Sequence, residues 1–499
     1  MTGCRPRLYV YDLPNRYRYE GRPEGQGFPP PLNLTDNDAA TLPSSSLQLL
    51  HSTDTYVAGG IFFARAMTHP CRTLDPAMAD LFFIPAFTDA FHGEHICADQ
   101  LGRHNCSRNR MFERLEMAAP GRLRARNGSD HIILSPRHGF HYDVSVSYEL
   151  RLTDSRLGNA IRFAMEEGDA DYPWPGPQRV KRFFRSTPFP SLVHASSDAP
   201  WDALPWRTTD RARRSVLIAI AFNAVHKAGP AVGQLNTLRD RLLRSCQVAG
   251  DPSVCTLLPL SPTNVQIKGY HMHLLSNVVK LYWRSTFCLM PVGDACTRKA
   301  TMDALLLGCI PVIFHPCQAL QWPWHWGGWV RDATVFVDLN DVTDAAGKDG
   351  FDVVETLRRM PASQVARMQR IIATHAHCVH YRKPFGLGIA HPNGGGEQTP
   401  SAAAGAPATV GGAYDAFDIT IVRPLCGRNE MLHARSLGAG LIAPIDCNYA
   451  CMLACVSQAG AWTVARHRSG DASTSALSSL CRMVPIHRVP GRPHPQRDI

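Results

Sequence analysis

Two adjacent basic residues, Arg298 and Lys299, stand in the stretch STFCLMPVGDACTRKATMDALLLGCIPVIF, which covers residues 285–314. The apolar runs TFCLMP and CIPVIF predict two buried parallel strands, with a turn and a helix over residues 297–307 between them. Cations at the beginning of a helix oppose its dipole at a cost of about 0.3–1 kcal/mol. A bound diphosphate would remove that conflict, because backbone N–H groups and a guanidinium fork would meet it together. The stretch therefore predicts an anion site; the alternative is that both cations point into solvent or pair with Asp294.

Four further residues of this stretch have predicted roles. Gly293 can take a positive φ, which lets the backbone approach a ligand, and Thr297 can cap the helix by accepting a backbone N–H. Gly308 is expected to end the helix. Asp303 could accept a hydrogen bond from a ribose or sugar hydroxyl, or it could pair with Lys299 one helical turn away.

Polar side chains follow two apolar runs in the first half of the chain. ADLFFIPAF (79–87) and DHIILSP (130–136) predict buried parallel strands. Ligands of open α/β sheets lie beyond the carboxyl ends of the strands, so the loops that follow are expected to carry chemistry. The polar residues of these loops are Asp89, His92, Glu94 and His95 after the first run, and Arg137, His138, His141 and Asp143 after the second.

The elements that position these residues follow a strand–helix order in both halves of the chain. Short apolar runs alternate with segments of helical spacing. The further predicted elements are strands at 7–13, 215–222 and 333–339 and helices at 55–69, 234–246 and 352–381. This alternation predicts an α/β protein with two Rossmann-like domains that face each other.

The composition is that of an ordinary globular protein, with 44% hydrophobic and 19% charged residues among 499. No stretch has the roughly 20 apolar residues needed to cross a bilayer, and no signal peptide or anchor is expected before the first predicted strand. Two alternatives are left open: a cytosolic protein, or a chain whose natural start lies outside this sequence. The formal net charge of +10 is scattered along the chain. Scattered charge argues against a nucleic-acid binder and suits an enzyme for anionic nucleotides.

The 16 cysteines include pairs with the spacing of small disulfide loops. These pairs are Cys97–Cys106 and Cys246–Cys255. Disulfides indicate an oxidising compartment, whereas buried free thiols are the alternative. Glycosylation sequons at Asn33, Asn105 and Asn127 point to the same secretory lumen.

The stretch 285–314 resembles the sugar-donor signature of the exostosin-type glycosyltransferases, family 47. The family pattern is roughly S-x-F-C-L-x-P-x-G-D-x-x-T-R-R-x-x-x-D-A-x-x-x-G-C-I-P-V. The matching positions are Ser285, Phe287, Cys288, Leu289, Pro291, Gly293, Asp294, Thr297, Arg298, Asp303, Ala304, Gly308, Cys309, Ile310, Pro311 and Val312. Lys299 replaces the second arginine, which keeps the charge and loses the bidentate fork.

The resemblance extends over about residues 7–420. LYVYDLP is similar to the family's opening strand, ADLFFIPAF to A-D-x-F-x-x-P-x-Y, and GSDHIILSPRHGFH to G-R-D-H-x-x-x-x-x-H-D-x-G, with Ser129 where arginine is usual. FHPCQALQWPWHW is similar to the plant and algal branch, which includes xyloglucan galactosyltransferase-like members. The family commonly has F-x-G in its second domain; here Asn223 replaces that glycine, which could alter the approach of the donor.

The resemblance implies an inverting hexosyl- or pentosyltransferase of GT-B fold, in which two Rossmann-like domains enclose the site. It implies a nucleotide-sugar donor, expected to be a UDP-sugar with galactose, arabinose, xylose or glucuronic acid, and a polysaccharide or glycoprotein glycan as acceptor. No cofactor or metal is expected, so Arg298, Lys299 and the helix end would meet the leaving diphosphate. The expected donor-binding residues are Gly293, Asp294, Thr297, Arg298, Lys299 and Asp303. His141 or Asp89 is expected to be the general base.

Two features bear on the acceptor and on the metal. Aromatic faces suit sugar rings, so Trp324 and Trp326 in QWPWHWGGW are expected to bind the acceptor together with His138; a packed aromatic cluster is the alternative. GDADYP contains the Asp-x-Asp pair Asp169 and Asp171, which a metal-dependent GT-A enzyme would use. That pair normally follows an apolar strand, and IRFAMEEG before it reads as a helix end, so a solvated loop is expected.

The predicted organisation has five parts. They are an N-terminal acceptor domain (1–205), a C-terminal donor domain (206–385), a low-complexity linker (386–413), a closing element (414–426) and a disordered tail (427–499). The tail holds Cys447, Cys451 and Cys455, whose spacing could bind metal but lacks a matching His or Cys pair. The expected location is the Golgi lumen, with the membrane anchor outside this chain.

Expected partners are the donor and the glycan, without nucleic acid, and a homodimer or a heterodimer with related glycosyltransferases is allowed. A catalytically inactive relative that serves as partner or scaffold of an active enzyme is the alternative function. The retained Gly293, Asp294, Arg298 and Asp303 oppose it. A nucleotide-sugar epimerase would need a Gly-x-Gly-x-x-Gly turn near the start, and the sequence has none there.

Overall fold

The structure is a computed structural model, and the residues it describes all lie in the first of two compact units, Met1–Cys447 and Asn448–Ile499. The described residues are 6–13, 28–32, 44–55, 57–85, 108–135, 157, 159–166, 184–196, 199, 203–207, 214–222, 232–258, 270–293, 296–343, 351–384 and 415–421. Within these ranges the protein is α/β, with two parallel sheets. The predicted class is therefore confirmed.

The first sheet has six parallel strands in the order β2-β1-β3-β4-β5-β6 among the described residues. The strands are β1 (Leu8–Val10), β2 (Arg72–Thr73), β3 (Leu81–Ile84), β4 (His131–Ser135), β5 (Ile161–Ala164) and β6 (Phe184–Ser186). The second sheet, also parallel, has the order β11-β10-β9-β7-β8. Its strands are β7 (Val216–Ile220), β8 (Cys255–Leu257), β9 (Ser285–Met290), β10 (Ile310–Ile313) and β11 (Val335–Phe336).

Helices connect and cover these strands. They are α1 (Ser44–Leu47), α2 (Ala58–Met67), α3 (Arg108–Ala118), α4 (Arg122–Ala125), α5 (Val232–Ala249), α6 (Tyr270–Trp283), α7 (Lys299–Leu306), α8 (Pro316–Leu320), α9 (Val330–Ala333), α10 (Leu339–Thr343), α11 (Val353–Arg358) and α12 (Ala362–His375). Short 3-10 turns lie at Pro76–Met78, Pro205–Arg207 and Ala376–Val379. The periodicity that predicted α5 is confirmed, because Leu235, Leu238 and Leu242 are all buried.

Strand β3 shows why these sheets are apolar on both faces. Leu81 and Phe83 belong to the core that also includes residues of α2, whereas Phe82 and Ile84 belong to a second core with residues of α3. Alternate side chains of a strand point to opposite faces, so the sheet is covered on both sides. This explains why the run is continuously apolar rather than alternating.

The two sheets share one topology. When the strands of each sheet are numbered in chain order, the first sheet is 2-1-3-4-5-6, and the second sheet, taken from the β8 edge, is 2-1-3-4-5. In both sheets the first and third strands are therefore neighbours, and the chain reverses its direction across the sheet between them. Ligands of such folds bind at the carboxyl ends of the strands next to that reversal. The expected crevices therefore lie after β1 and β3 in the first sheet and after β7 and β9 in the second.

One predicted element is wrong. Residues 161–168, interpreted as a helix end, contain strand β5, whose residues 162–164 are buried. The misleading residue is Arg162, which is 1% exposed and donates from its guanidinium to the backbone oxygens of Ala160 and Leu157. Asp169 and Asp171 do follow an apolar strand, as the aspartates of an Asp-x-Asp metal site normally do, so the expectation of a solvated loop loses its basis. Both aspartates lie outside the described residues.

Disulfides brace the second sheet. The predicted Cys246–Cys255 bond is confirmed, with an S–S distance of 2.01 Å, and it joins α5 to β8. Cys288 of β9 bonds to Cys309, the residue before β10, and Cys296 bonds to Cys317 in α8. Cys71 and Cys378 are also disulfide-bonded, whereas Cys97 and Cys106 lie outside the described ranges. These bonds indicate an oxidising environment.

Residues 415–421, here called the closing segment, return to the core after the low-complexity region. Residues 416–421 are helical. Phe417 packs 5.3 Å from Phe62 of α2, measured between ring centroids. The hydroxyl of Thr420 contacts both Thr187 and His325, at 3.1 and 3.2 Å. The segment therefore contacts both halves of the chain.

Among the helices that the structure describes, none has the length and apolar character needed to span a bilayer.

Candidate functional site

The carboxyl ends of strands from both sheets meet in one region. Trp322, after α8, donates its backbone N–H to Ser186 Oγ at 2.8 Å and its indole N–H to the Met165 oxygen at 2.6 Å. Met165 follows β5 and Ser186 ends β6. The carboxyl edge of the first sheet therefore contacts the segment that follows α8 in the second half of the chain.

The predicted cations lie at the beginning of α7. Residues 291–303 are here called the Arg-Lys segment; Asp294 and residue 295 within it lie outside the described ranges. Arg298 is the N-cap, in extended conformation with φ −148° and ψ 148°, and Lys299 is the first helical residue. The amino end of α7 follows β9 at the reversal between β7 and β9, where a ligand crevice is expected.

Thr297 does not cap α7 as predicted. Its backbone N–H donates to Glu166 Oε1 at 2.6 Å, and its hydroxyl donates to the same oxygen. Thr297 is 2% exposed and Glu166 is 3% exposed. The hydroxyl was expected to accept a helical N–H; instead it faces a carboxylate from the first half of the chain, 131 residues away.

Gly293 makes room for two guanidinium groups. A Cβ atom at this position would lie 3.2 Å from both Nε and Nη2 of Arg298 and 3.7 Å from Nη2 of Arg239. The predicted positive φ is wrong, because Gly293 is not among the residues in that region. The missing side chain, rather than backbone freedom, lets the cations approach the turn.

Arg239 of α5 contacts this turn through the backbone oxygen of Val292. It is 2% exposed, donates from Nη2 to the Val292 oxygen at 3.1 Å, and lies 5.9 Å from the ring centre of Phe222. By their distances to the Gly293 position, guanidinium nitrogens of Arg239 and Arg298 are less than 7 Å apart. Positive charge is thus concentrated at the carboxyl end of β9.

Asp303 forms an ion pair with Lys299, which is one of the two roles that the sequence predicted for it. Both its oxygens lie 2.9 Å from Lys299 Nζ, and Oδ1 also accepts the backbone N–H of Leu192 at 2.8 Å. Burial raises the pKa of the Asp303 carboxyl, while Lys299 and the Leu192 N–H act in the opposite direction. The ion pair satisfies this carboxylate inside the protein.

Gly308 ends α7 as predicted. Its φ is +74°, its N–H donates to the Leu305 oxygen at 2.9 Å, and the N–H of Cys309 donates to the Ala304 oxygen at 2.9 Å. This pair of bonds is the Schellman arrangement, which favours glycine.

The two acceptor tryptophans differ in burial. Trp326 is fully buried and packs against Trp322 with centroids 4.7 Å apart, so it presents no ring face to a glycan in this structure. This matches the packed-cluster alternative. Trp324 is partly buried, with the Arg185 guanidinium 5.6 Å from its ring centre and Phe163 at 5.9 Å. Its role in binding the acceptor stays a prediction.

The first-half candidates His138, His141 and Asp89 lie outside the described residues, so their roles stay predictions. Their strands are nevertheless placed: Asp89 follows β3, at the reversal of the first sheet, and the two histidines follow β4.

Glu166 and Arg239 were missed by the sequence analysis. Arg239 lay inside the predicted helix 234–246 without an assigned role, and Glu166 lay in a segment interpreted as a helix end. A correct assignment of β5 would have placed Glu166 at the carboxyl edge of the sheet. No local signal distinguishes Arg239 from its exposed neighbours.

One group of metal-ligand types comes together in the described part of the chain. Ligand atoms of Cys296, His315 and Cys317 lie within 4.8 Å of one another. The two sulfurs form a disulfide, and His315 Nδ1 accepts the backbone N–H of Cys317 at 3.2 Å. In this form, the group cross-links and caps α8 rather than holding a metal.

Known proteins resemble this chain over much of its length. The model of the Exostosin GT47 domain matches residues 4–347. Probable xyloglucan galactosyltransferase GT17 of Arabidopsis thaliana is 27% identical over 408 residues, covering 77% of this chain and 81% of that protein. Xyloglucan galactosyltransferase XLT2 of the same plant is 26% identical over 398 residues, covering 76% and 71%.

A third relative, Xyloglucan-specific galacturonosyltransferase 1 of Arabidopsis thaliana, is 26% identical over 350 residues, covering 67% of this chain and 48% of that protein. The family match covers more than half of the chain and includes the whole Arg-Lys segment. The chain therefore belongs to the exostosin GT47 family, and it is a glycosyltransferase.

Proposed function

We propose that this protein transfers a sugar from a UDP-sugar to a hydroxyl group of a cell-wall polysaccharide, with inversion at the anomeric carbon. The cations around Gly293 carry the proposal: Arg298 and Arg239 lie beside the turn after β9, at the amino end of α7. This arrangement suits a diphosphate. The two sheets then act as the two domains of a GT-B enzyme, with the site where their strand ends meet.

The reaction needs a base and a stabilised leaving group. The acceptor oxygen forms a bond to the anomeric carbon as the bond from that carbon to the diphosphate oxygen breaks. The acceptor proton passes to a base in the first-half loops, His141 or Asp89. The diphosphate leaves with the bonding electrons, and Arg298 with the amino end of α7 stabilises its charge. Lys299 contributes less, because Asp303 already balances its charge.

The names of the relatives support a polysaccharide acceptor, because two of them are called xyloglucan galactosyltransferases and one a galacturonosyltransferase. A galactosyl or galacturonosyl donor is therefore the first choice. The disulfides and the exposed sequon residue Asn127 support the Golgi lumen. Assembly with related glycosyltransferases stays a prediction.

The decisive experiment measures UDP binding to the full chain by calorimetry, with uridine and EDTA as comparisons. We expect UDP to bind, uridine to bind more weakly, and EDTA to have no effect. Arg298→Ala should weaken UDP binding about tenfold or more, because a charge-assisted contact to phosphate is lost. Arg358→Ala, which removes a half-exposed arginine of α11, is the matched control and should bind like wild type.

Transfer from UDP-galactose or UDP-galacturonic acid to xyloglucan oligosaccharides then identifies the sugar. A folded chain that binds no nucleotide would contradict the proposal and favour the inactive relative. Binding that disappears with EDTA and returns with a divalent cation would contradict metal independence alone.

A further inference from the structure

The two cations of the Arg-Lys segment lie between two contacts with the first half of the chain. Before them, Thr297 donates its backbone N–H and its hydroxyl to Glu166 Oε1. After them, Asp303 Oδ1 accepts the Leu192 N–H at 2.8 Å. The first half therefore fixes the backbone that carries Arg298 and Lys299 from both sides.

Strand β5 places Glu166 for this contact. Glu166 is the second residue after the strand, at its carboxyl edge, and it is 3% exposed. A buried carboxylate needs hydrogen-bond donors, and Thr297 supplies two. The backbone N–H bond of 2.6 Å is short, as expected for an ionised acceptor.

Fixing Thr297 restricts the next residue. Arg298 is joined to it by one planar peptide bond, and its extended backbone directs the guanidinium toward Gly293, 3.2 Å from the position of a Cβ atom there. A cation that is already ordered before a ligand arrives loses less entropy on binding. The benefit of Glu166 would then appear in the affinity for the phosphate-bearing donor.

We propose that Glu166 is a positioning residue of the donor site, which holds Thr297 so that Arg298 faces the diphosphate. This inference rests on the proposed function and adds a residue of the first half to donor binding. Glu166 acts through Thr297 and contacts neither the donor nor the acceptor.

Two variants of Glu166 distinguish the position of its carboxylate oxygen from the charge of the carboxylate. Both bonds from Thr297 end on one oxygen of Glu166. Glu166→Gln retains an oxygen there and removes the charge, whereas Glu166→Ala removes both bonds. We expect Glu166→Ala to weaken UDP affinity about tenfold, and Glu166→Gln to stay within about threefold of wild type. The KM for the nucleotide sugar should follow the affinity, while kcat changes less than about threefold.

Ser186→Ala is the matched control. Ser186 Oγ accepts the Trp322 N–H at 2.8 Å, so this bond also joins the two halves, but it does not touch the Arg-Lys segment. We expect Ser186→Ala to lower the Tm about as much as Glu166→Ala and to leave UDP affinity within about twofold of wild type. Calorimetric titration of the full chain with UDP measures affinity, and amide hydrogen exchange measures order in residues 296–303.

Wild-type affinity in Glu166→Ala would overturn the proposal. An equal loss in Glu166→Ala and Ser186→Ala would also overturn it, since general docking of the two halves would explain both. If the wild-type chain does not bind UDP, the proposed function fails, and hydrogen exchange still decides the role of Glu166. Faster exchange at 297–303 in Glu166→Ala alone supports positioning, and unchanged exchange overturns it.

Discussion

At the scale of single residues, the carboxylate of Asp303 shows how burial decides between two roles. Its side chain is 7% exposed and contacts Lys299 and the Leu192 N–H. A carboxylate this deeply buried is stable only with partners of its own, and the fold supplies them. The charge of Lys299 is balanced as a result. We therefore expect Lys299 to contribute little to anion binding.

Alanine substitutions of Gly293 and Gly308 should distinguish an effect on UDP affinity from an effect on the stability of the fold. Gly293→Ala places a Cβ 3.2 Å from the Arg298 guanidinium at an ordinary φ, so UDP affinity should fall about three- to tenfold with little change in Tm. Gly308→Ala has a φ of +74° and a Cβ 2.5 Å from Arg214 Nη2. It should lower the free energy of unfolding by about 1–2 kcal/mol and leave UDP affinity unchanged.

Calorimetric titration and thermal unfolding of both variants test this pair. The prediction fails if Gly308→Ala loses affinity while Gly293→Ala retains it.

At the scale of elements, the closing segment is held by a reciprocal cap and a buried cation. Asp415 Oδ1 accepts the Asp418 N–H at 3.0 Å, and Asp418 Oδ2 accepts the Asp415 N–H at 3.3 Å. Arg65 of α2 contacts both carboxylates, at 3.0 and 3.1 Å. Arg65 thus contacts two neighbouring acids, and ionising both of them costs free energy because their charges repel.

The two aspartates have opposite pKa shifts. Burial acts to raise the pKa of Asp415, but Arg65 and Arg382 outweigh it and hold that pKa well below its usual range. Burial, and then the charge of Asp415, raise the pKa of Asp418 to about 6. Burial lowers the pKa values of the neighbouring His69 and His377 to about 4, so they stay neutral above pH 5.

The ionised Asp418 should therefore destabilise the fold less as pH falls from 7.5 to 5, since it takes up a proton in the folded state. His69 and His377 act in the opposite direction over this range, because their unfolded rings gain protons that the buried rings do not bind, so the contribution of Asp418 is measured as a difference between variant and wild type. Asp415, with its lowered pKa, contributes stability that is lost only below about pH 4. Asp418→Asn should be more stable than wild type by about 3 kcal/mol at pH 7.5 and by about half as much at pH 5, where the unfolded carboxyl is still ionised; the difference should vanish only below about pH 4.

Asp415→Asn is the comparison and should be less stable than wild type across this range, because Arg65 loses its fully buried partner. Denaturant unfolding at pH 5, 6 and 7.5 measures both variants. A pH-independent difference between Asp418→Asn and wild type would refute the assignment.

At the scale of the whole molecule, the closing segment links the two halves. Phe417 contacts α2, and Thr420 contacts Thr187 of the first half and His325 of the second. A phenylalanine removed from a core costs about 3–5 kcal/mol. We therefore expect a chain that ends at residue 413 to be insoluble or strongly destabilised.

A chain that ends at residue 426 is the control, since it retains the closing segment. It should keep its Tm within about 3 °C of the full chain and bind UDP equally well. Thermal unfolding compares the three lengths. Equal stability of the chain ending at 413 would show that the closing segment is dispensable.

The sequence was sufficient for the α/β class, the two parallel sheets and the turn–helix–strand order around Arg298. Those features depend on local periodicity and end signals, as at Gly308. The contact between Glu166 and Thr297 joins residues 131 positions apart, and no spacing rule connects them. Strand β5 was misread because a buried arginine interrupts its apolar pattern. Gly293 was interpreted through its backbone, whereas its packing partners explain it.

The ion pair between Arg65 and Asp418 has a consequence for synthesis in the cell. The two residues are 353 positions apart, so the ribosome must add that many residues before the pair can form. At a translation rate of about 5–20 residues per second, roughly 20–70 s pass between the synthesis of α2 and that of its counter-ions. During that time the nascent first half carries an unfinished apolar surface. Its folding can then be completed only after residue 418 has been synthesised, and it should depend on chaperones that hold early intermediates.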